Sequence, residues 1–348
     1  MLKFPKIKQF YHICNDVKKI TQFTGLDKEG NPTYKEDEPL PTLSFIGTVK
    51  LHGTNAAIGY NTLTRKLWTQ SRERVITIFD DNAGFASFVK TYEEEIRELM
   101  EDWADQWELP ELVVFGEWCG GNIQSGVALS QLPKMFVVFA AATDLRAHTP
   151  NETQATVWLN PDICQGGDDI GIYNINRAPK QFITIDFNKP EEAVKLLEEK
   201  TLEVENECPF AKSFGVSGVG EGIVWRGYYK NQILTFKTKG EKHSTGKKGN
   251  NKISHSPEKL KSIEEFVKFA VNPTRCRQAF FEVFKMGGHL PCKKNTGHFL
   301  KWMLKDIIEE ESDILILSEL SFEEIKQPLQ KASREWLFKK LIEGGYEQ

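Results

Sequence analysis

The feature that most limits the possible folds of this chain is a change of pattern near residue 250. Before it, short runs rich in β-branched and aromatic residues recur, each bounded by turn-forming residues. These runs predict eight strands, at Ser44–Lys50, Asn55–Tyr60, Lys66–Ser71, Glu111–Trp118, Met135–Ala142, Gln181–Asp186, Gly222–Tyr228 and Gln232–Lys237. Helical patterns at Phe85–Trp107 and Pro190–Lys200 interrupt the strands in no repeating order. The pattern therefore predicts an α+β fold with antiparallel sheets.

After the change, the pattern is helical. The segments Ser262–Glu265 and Ser321–Glu324 both match the capping box S-x-x-E, and each precedes an amphipathic stretch. Phenylalanines at helical spacing then predict an apolar helix face that belongs to a core. We expect a first domain at 1–245, a helical C-terminal domain at 251–348 and a basic linker at 240–252.

Composition excludes several classes of protein. The 348 residues carry a net charge of −4, and no apolar run is long enough to span a bilayer. The first residues lack the apolar core of a signal peptide. Six scattered cysteines with no C-x-x-C pair argue against a zinc ribbon or a disulfide framework and favour the cytoplasm. No metal-ligand spacing or other role is predicted for His148, His243, His255 and His298.

The charge is distributed unevenly. Between Lys237 and Lys261 there are eight lysines and two acidic residues. Most such runs are solvated loops, and the glycines and asparagines around residue 250 are typical of a flexible linker. A run of this kind is also suited to contact a nucleic-acid backbone, and both interpretations are compatible.

One lysine occupies an unusual local sequence. Lys50 ends an apolar alternating run and is followed by Leu51-His52-Gly53-Thr54-Asn55, the residues of a tight turn. A lysine at a strand end beside free backbone N–H groups can attack the α-phosphate of a nucleotide once its amine is neutral. Nearby cations and a partly desolvated pocket favour the neutral amine. The motif K-x-x-G alone is common, and a surface lysine before a turn explains it equally well.

Five further strand-end residues or pairs follow Lys50 in order. They are Arg72 in Gln70-Ser71-Arg72, Glu117 in Phe115-Gly116-Glu117, Phe139 at the end of Met135–Phe139, Glu221 in Glu221-Gly222-Ile223-Val224, and the alternating pair Lys237 and Lys239. Each has an ordinary structural explanation when taken alone. Their combination and order favour nucleotidyl transfer.

This series resembles the nucleotidyltransferase superfamily of polynucleotide ligases and mRNA capping enzymes over residues 45–240. Within it, the form K-x-H-G-T-N is similar to the phage-type RNA ligase 2 family, because DNA ligases and capping enzymes more usually have Asp at the position of His52. The chain departs from the family at Ala140, where an Asp often follows the aromatic residue. That departure leaves the role of this strand's acidic residue open.

The resemblance implies a reaction and a set of partners. ATP would form a lysyl-AMP phosphoramidate at Lys50, AMP would pass to an RNA 5′-phosphate, and a 3′-OH would then expel AMP. One or two Mg²⁺ ions (or Mn²⁺) are expected to assist, mostly through phosphates and water. The expected substrate is nicked duplex or structured RNA, in RNA repair. The helical domain at 251–348 and its lysine-rich lead-in are expected to bind the RNA strands that flank the break. Nothing in the sequence requires an oligomer, so we expect a monomer.

The resemblance also implies residue roles. Glu117 is expected to accept a hydrogen bond from a ribose hydroxyl, and Phe139 is expected to stack on adenine. Arg72 and Asn55 are expected to contact phosphate or ribose, and His52 the phosphates or the leaving group. Glu221 is expected to lie nearest to Lys50 and the metal. Val49, Leu51 and Gly53 complete the predicted nucleotide contacts.

Lys237 and Lys239 have a role that follows from their spacing. Alternation in a strand places both side chains on one face of the sheet. There they can neutralise charge on the α-phosphate during transfer.

Two alternatives remain open. The first is a small ATP-dependent DNA ligase or an mRNA capping guanylyltransferase, but these usually append an OB-fold where this chain becomes helical. The second is an RNA-binding module with a degenerate transferase fold, against which the complete set Lys50, Glu221, Lys237 and Lys239 argues.

Overall fold

The computed structural model describes residues 1–144, 156–240, 263–317 and 320–345. The chain divides into two compact units, Met1–Gly240 and Glu241–Gln348. The domain boundary predicted at residue 245 lies outside the described residues. Beyond Gly240, the predicted linker 240–252 and the lysines between 242 and 261 lie outside the described residues.

Within the described residues the chain forms fourteen strands and nine helices. The strands are β1 (Lys8–Gln9), β2 (Phe23–Leu26), β3 (Pro32–Tyr34), β4 (Thr42–Lys50), β5 (Thr54–Asn61), β6 (Lys66–Ser71), β7 (Val75–Ile76), β8 (Glu111–Cys119), β9 (Met135–Asp144), β10 (Thr156–Leu159), β11 (Ile172–Asn174), β12 (Gln181–Asp186), β13 (Gly222–Tyr229) and β14 (Gln232–Lys239). The helices are α1 (Phe10–Gln22), α2 (Phe85–Thr91), α3 (Glu93–Asp105), α4 (Pro190–Asn206), α5 (Pro209–Lys212), α6 (Ile263–Ala270), α7 (Pro273–Phe280), α8 (Thr296–Leu317) and α9 (Phe322–Glu343).

The first unit contains two larger sheets. Sheet one has the order β1-β14-β13-β4-β12, and sheet two has the order β10-β9-β8-β5-β6-β7, with β11 paired to β9. All pairs are antiparallel except β1 with β14 and β11 with β9. The predicted α+β fold with antiparallel sheets is therefore confirmed.

Helices cover one face of sheet one. The ring of Phe10 in α1 lies 5.1 Å from that of Phe236, and Thr201 in α4 donates a hydrogen bond to Thr238 at 2.7 Å. Because side chains alternate along β14, Lys237 and Lys239 occupy the opposite face, where both are only partly buried. The structure thus leaves the lysine face of sheet one uncovered by α1 and α4.

Sheet two is covered on both faces. On one side Phe85 of α2 packs against Trp118 and Phe136, at ring separations of 5.4 and 5.0 Å. On the other side Leu2 and Phe4 of the N-terminal segment pack on an apolar cluster of five residues, Ala57, Val113, Phe115, Ala140 and Ala142. The N-terminal segment then continues into β1 at the edge of sheet one.

Three features of the first unit differ from the sequence prediction. Helix α1 was not predicted, although Phe10, Ile13 and Val17 are buried at helical spacing. The predicted helix 85–107 divides at Tyr92, whose backbone leaves the helical region at φ −109° and ψ 34°. Helix α4 continues past residue 200 to Asn206.

The second unit has its own apolar core. Phe266, Phe299 and Leu337 are fully buried in it, as the helical spacing of apolar residues predicted. The capping box at Ser321 and Glu324 is present, whereas the one predicted at Ser262 lies outside the described residues. No described helix in either unit is long and apolar enough to cross a membrane.

A buried arginine that is paired with two acidic residues connects the helices of this unit. Arg275 is fully buried and donates hydrogen bonds to Asp306 at 2.8 Å, to the carbonyl of Ala270 at 2.7 Å and to Glu311 at 2.5 Å. Each acceptor lies on α6 or α8, so this one side chain on α7 connects three helices. Nothing in the sequence pattern predicted this contact.

Candidate active site

The site is built where sheet one meets sheet two along the chain. Lys50 is the last residue of β4 in sheet one, and Thr54 is the first residue of β5 in sheet two. The three residues Leu51, His52 and Gly53 make the connection. The turn predicted after Lys50 is therefore the link between the two sheets.

Three cationic or titratable groups surround one buried carboxylate. Glu221 has 3% of its side chain exposed, and its Oε2 accepts a hydrogen bond from Lys50 Nζ at 2.7 Å. The Nζ of Lys239 lies 3.2 Å from Oε1, and His52 Nδ1 lies 3.2 Å from Oε2. We call these four residues the Glu221 cluster. The sequence predicted Glu221 next to Lys50, but it did not predict the contact with His52.

The charge of Glu221 is set by this environment. Burial acts to raise the pKa of the carboxyl, but Lys50, Lys239 and His52 outweigh it and hold the pKa of Glu221 well below its usual range. Glu221 is therefore ionised at neutral pH. A buried carboxylate that is paired on both oxygens is a rigid anchor for the Lys50 amine.

Strand register brings the cluster together. Gly222 pairs with Lys50 on one side and with Lys239 on the other. Gly222 has φ +154°, and a Cβ there would lie 2.0 Å from the carbonyl oxygen of Thr238, so only glycine fits. Lys237 lies one step further along β14, opposite Val224, on the same face as Lys239.

A second row of predicted residues crosses sheet two. Asn55 pairs with Glu117, which in turn pairs with Val137, and Arg72 follows directly after Ser71, the partner of Ala56. Asn55 and Glu117 thus lie at one level on β5 and β8, and Arg72 lies just beyond the end of the neighbouring strand β6. Arg72 is exposed, whereas Asn55 and Glu117 are partly buried.

Glu117 connects this row to the turn after Lys50. Its Oε1 accepts a hydrogen bond from the backbone N–H of Gly53 at 3.0 Å. A Cβ at Gly53 would lie 2.3 Å from the carbonyl oxygen of Trp118, which explains the glycine. The side chains of Val49 and Leu51 are buried, so any contact they make with a nucleotide would be through the main chain.

The titration of Glu117 differs from that of Glu221. Burial raises the pKa of Glu117 to about 7, and the negative charge of Glu221 adds to this, while Lys50 and the N–H of Gly53 act against it. Two carboxyl groups of one site therefore titrate in different pH ranges.

This difference predicts a pH-dependent effect of Glu117→Gln. Between the ordinary pKa of 4.5 and about 7, the folded protein binds more protons at Glu117 than the unfolded chain does, so Glu117 lowers stability as the pH rises. Relative to the parent protein, Glu117→Gln should gain about 2 kcal/mol in the free energy of unfolding between about pH 5 and pH 8. Denaturant titrations at several pH values measure this change. Parallel pH profiles for the two proteins would show that Glu117 does not titrate in this range.

Phe139 lies at an irregularity of β9. Phe115 pairs with Ala140 and Gly116 with Val138, so Phe139 is the extra residue of a β-bulge. Bulges redirect side chains, and the ring of Phe139 remains partly exposed. The ring of Phe4 contacts it edge-on, with a centroid separation of 5.0 Å and an interplanar angle of 69°.

Phe4 is a site residue that the sequence analysis missed. Its ring also lies 5.5 Å from those of Phe115 and Trp158, and Gln70 donates a hydrogen bond to the carbonyl of Leu2 at 2.5 Å. The alternation of Leu2 and Phe4 is a weak signal for a strand-like segment that packs on a sheet. Contacts between distant segments carry no local sequence signal.

The departure at Ala140 has a structural explanation. Ala140 is fully buried in the apolar cluster with Ala57 and Phe115, against the N-terminal segment. An acidic side chain at this position would be buried among apolar groups, which is costly without a partner.

The described part of the chain contains no preformed cluster of metal-ligating side chains. Among residues 1–144, 156–240, 263–317 and 320–345, no group of three or more His, Cys, Asp or Glu residues is placed to hold a metal ion. All six cysteines are free thiols.

Comparison with known proteins identifies the family. A family model described as RNA ligase matches residues 43–239, more than half of the chain. The chain belongs to the RNA ligase family. The match spans β4 to β14 and includes the Glu221 cluster and the Arg72–Asn55–Glu117 row. A search of curated protein sequences finds no match to this RNA ligase family member.

Solved structures of an RNA ligase from Naegleria gruberi are similar to this chain. The structure with pyrophosphate has a TM-score of 0.40 and 14% identity, and a point mutant with ATP and Mn has a TM-score of 0.41 and 14% identity. Each match covers 70% of this chain and 57% of the Naegleria protein. The chain therefore matches just over half of the length of that ligase.

Proposed function

We propose that this protein is an ATP-dependent RNA ligase that joins a 3′-OH end to a 5′-phosphate end through a lysyl-AMP intermediate at Lys50. The observation that carries the proposal is the Glu221 cluster, in which a buried carboxylate fixes the amine of Lys50 beside Lys239 and His52. The phage-type form K-x-H-G-T-N supports RNA as the substrate.

In the first step, the Lys50 Nζ attacks the α-phosphorus of ATP. An N–P bond forms, the bond to the bridging oxygen of pyrophosphate breaks, and Lys50 releases its protons to bulk water. Because its neighbours hold the pKa of Glu221 low, we assign Glu221 to orient the amine. Lys239 and Lys237 lie on the same sheet face and would neutralise the α-phosphate in the transition state.

The nucleotide would bind along sheet two. Glu117 is suited to accept a hydrogen bond from a ribose hydroxyl, and the partly exposed ring of Phe139 is suited to stack on adenine. Asn55, which pairs with Glu117, and Arg72, just beyond the end of β6, would contact phosphate or ribose.

A divalent ion fits this site only with substrate ligands. The Naegleria ligase structures named above include one with ATP and Mn. In this chain Glu221 is engaged by Lys50, Lys239 and His52, so Mg²⁺ or Mn²⁺ would bind mainly to phosphate oxygens and water. The ion would stabilise charge on the phosphates and orient pyrophosphate.

Two further steps would complete sealing. The RNA 5′-phosphate attacks the lysyl-AMP and releases Lys50, and a 3′-OH then attacks the adenylylated end and expels AMP. We propose nicked duplex or structured RNA as the substrate, RNA repair as the role, and action as a cytoplasmic monomer. The six free thiols support a reducing compartment.

A labelling experiment tests the function. The protein is incubated with Mg²⁺ and α-labelled ATP or GTP, denatured, and then assayed for label; a second sample receives a nicked RNA duplex. We expect label from ATP and sealing of the RNA nick. Label from GTP alone would indicate capping, sealing of DNA nicks alone would indicate a DNA ligase, and absence of label from both would indicate an RNA-binding module.

The contact between Phe4 and Phe139 predicts that substitution of Phe4 weakens ATP binding but leaves the rate of self-labelling nearly unchanged. Because its edge supports the ring of Phe139, Phe4→Ala should raise the half-saturating ATP concentration for self-labelling roughly 2- to 10-fold. The maximal labelling rate should change much less, since Phe4 is remote from the reacting phosphorus. Phe23→Ala, which also removes an aromatic ring from an edge-on pair, is the matched control. An equal shift in the control would refute a specific role for Phe4.

A further inference from the structure

The second unit contains a segment of one charge sign. Residues 283–305 include five lysines and two histidines but no acidic residue. In α9, by contrast, both signs occur, with Glu323 and Glu324 followed by Lys326, Lys331 and Arg334. Mixed charges are typical of an ordinary solvated helix face. The segment 283–305 does not follow that pattern.

The positive charges are presented on one side of α8. Phe299, Leu300 and Met303 of this helix are buried in the core of the unit. His298, Lys301 and Lys305 are exposed, at spacings of three and four residues, and therefore lie along one stripe. The stripe extends roughly 10 Å along the helix axis.

The loop before α8 adds two further exposed lysines. Lys293 and Lys294 are exposed in a short helical turn that leads into α8. Asn295 donates a hydrogen bond to the carbonyl of Leu290 at 2.9 Å, and Thr296 donates one to the carbonyl of Lys293 at 2.7 Å. The lysines are therefore carried by an internally bonded loop.

A stacked pair of imidazoles fixes the preceding loop on the helix. The rings of His289 and His298 are 3.8 Å apart and nearly parallel, at 22°. The sequence analysis gave His298 no role, because ring stacking has no sequence spacing.

Acidic residues flank the basic segment on both sides. Glu282 precedes the segment and is partly buried, and Asp306 follows it. Asp306 accepts a hydrogen bond from the buried guanidinium of Arg275 at 2.8 Å, so its charge is compensated within the core. The positive charge is therefore concentrated in residues 285–305, before the acidic residues Glu309, Glu310, Glu311 and Asp313 of the later turns of α8.

We infer that Lys293, Lys294, His298, Lys301 and Lys305 form a surface that binds the phosphate backbone of the RNA substrate. We call it the α8 basic face. The identity of the partner as RNA rests on the proposed function; the surface itself is defined by charge and exposure. It is distinct from the lysine run at 237–261 and provides contacts that do not depend on base sequence.

The experiment uses the full chain and a nicked RNA duplex. The triple variant Lys293→Ala, Lys294→Ala, Lys301→Ala is compared with a control of equal charge change, Lys268→Ala, Lys326→Ala, Lys331→Ala, whose lysines are exposed on α6 and α9. Kd is measured by fluorescence anisotropy at several salt concentrations. Thermal unfolding and self-labelling with ATP show that both variants are folded.

We expect the α8 variant to bind RNA at least about 10-fold more weakly at low salt, with the slope of log affinity against log salt reduced by about 2. The control should keep the slope of the parent protein. Equal slopes for all three proteins would overturn the inference, as would an absence of RNA binding by the parent protein. A third outcome separates the two proposals: the parent protein binds RNA and the salt slopes differ, but ATP does not label the protein. In that case the proposed ligase function is wrong, whereas RNA binding by the α8 basic face is supported.

Discussion

Replacing Lys50 by alanine should reduce the transfer of label from α-labelled ATP to the protein by a factor of at least about 10³. The variant lacks the amine that forms the N–P bond, and no change elsewhere in the site can supply it. Lys66→Ala, which removes an exposed lysine at the start of β6, is the control and should label normally. Both variants are compared by the amount of label retained after denaturation.

The variant Lys50→Arg separates the positive charge of Lys50 from its role as a nucleophile. Arginine keeps a positive charge beside Glu221 but does not lose its proton at neutral pH, so this variant should fold normally and remain unlabelled. When supplied with RNA that is already 5′-adenylylated, it should still join the ends, because that step does not use the lysine amine. Label on either Lys50 variant would assign the nucleophile to another lysine.

Replacing Glu221 by glutamine should lower the rate of self-labelling by about 100-fold, because the amine of Lys50 loses the partner that orients it. The substitution also leaves Lys50 and Lys239 without their buried counter-charge. We expect the free energy of unfolding to fall by about 1 to 3 kcal/mol at neutral pH, less than for a fully buried pair because both lysines are partly exposed. Glu191→Gln, at an exposed position of α4, is the control.

The pH dependence of this loss has a defined sign. The pKa of Glu221 is lowered in the folded protein, so its stabilisation is fully present above the ordinary pKa of 4.5 and is lost as the pH falls through the folded pKa. As the pH rises from acid, Glu221→Gln should therefore lose stability relative to the parent protein, whereas Glu117→Gln should gain stability relative to it. A difference that stays constant down to about pH 3 would show that Glu221 is not held by its cationic neighbours.

The main strands of the first unit could be predicted from the sequence because each has a strong local pattern. All eight predicted strands are present, with ends that differ by at most two residues. Alternation along β14 also predicted that Lys237 and Lys239 share a face. The resemblance to the nucleotidyltransferase superfamily implied that Lys50 and Glu221 would meet, although 171 positions separate them.

The missed features depend on contacts between distant segments. The break at Tyr92 is invisible in the apolar pattern, since buried residues continue at helical spacing from Val89 to Ile96. The contact of Phe4 with Phe139 and the stack of His289 on His298 exist only in the folded chain. Counting charges along the sequence drew attention to the run at 237–261 and away from the exposed side of α8.

The three-residue connection between β4 and β5 has a mechanical consequence. Sheet one ends at Lys50 and sheet two begins at Thr54, while Gly53 is hydrogen-bonded to Glu117 of sheet two and Lys50 to Glu221 beside sheet one. Because this link is only three residues long and is hydrogen-bonded at both ends, a change in the angle between the sheets would shift the Lys50 amine. Substitutions that alter packing between the sheets would therefore change the orientation of the Lys50 amine, even where the substituted residue does not contact the site.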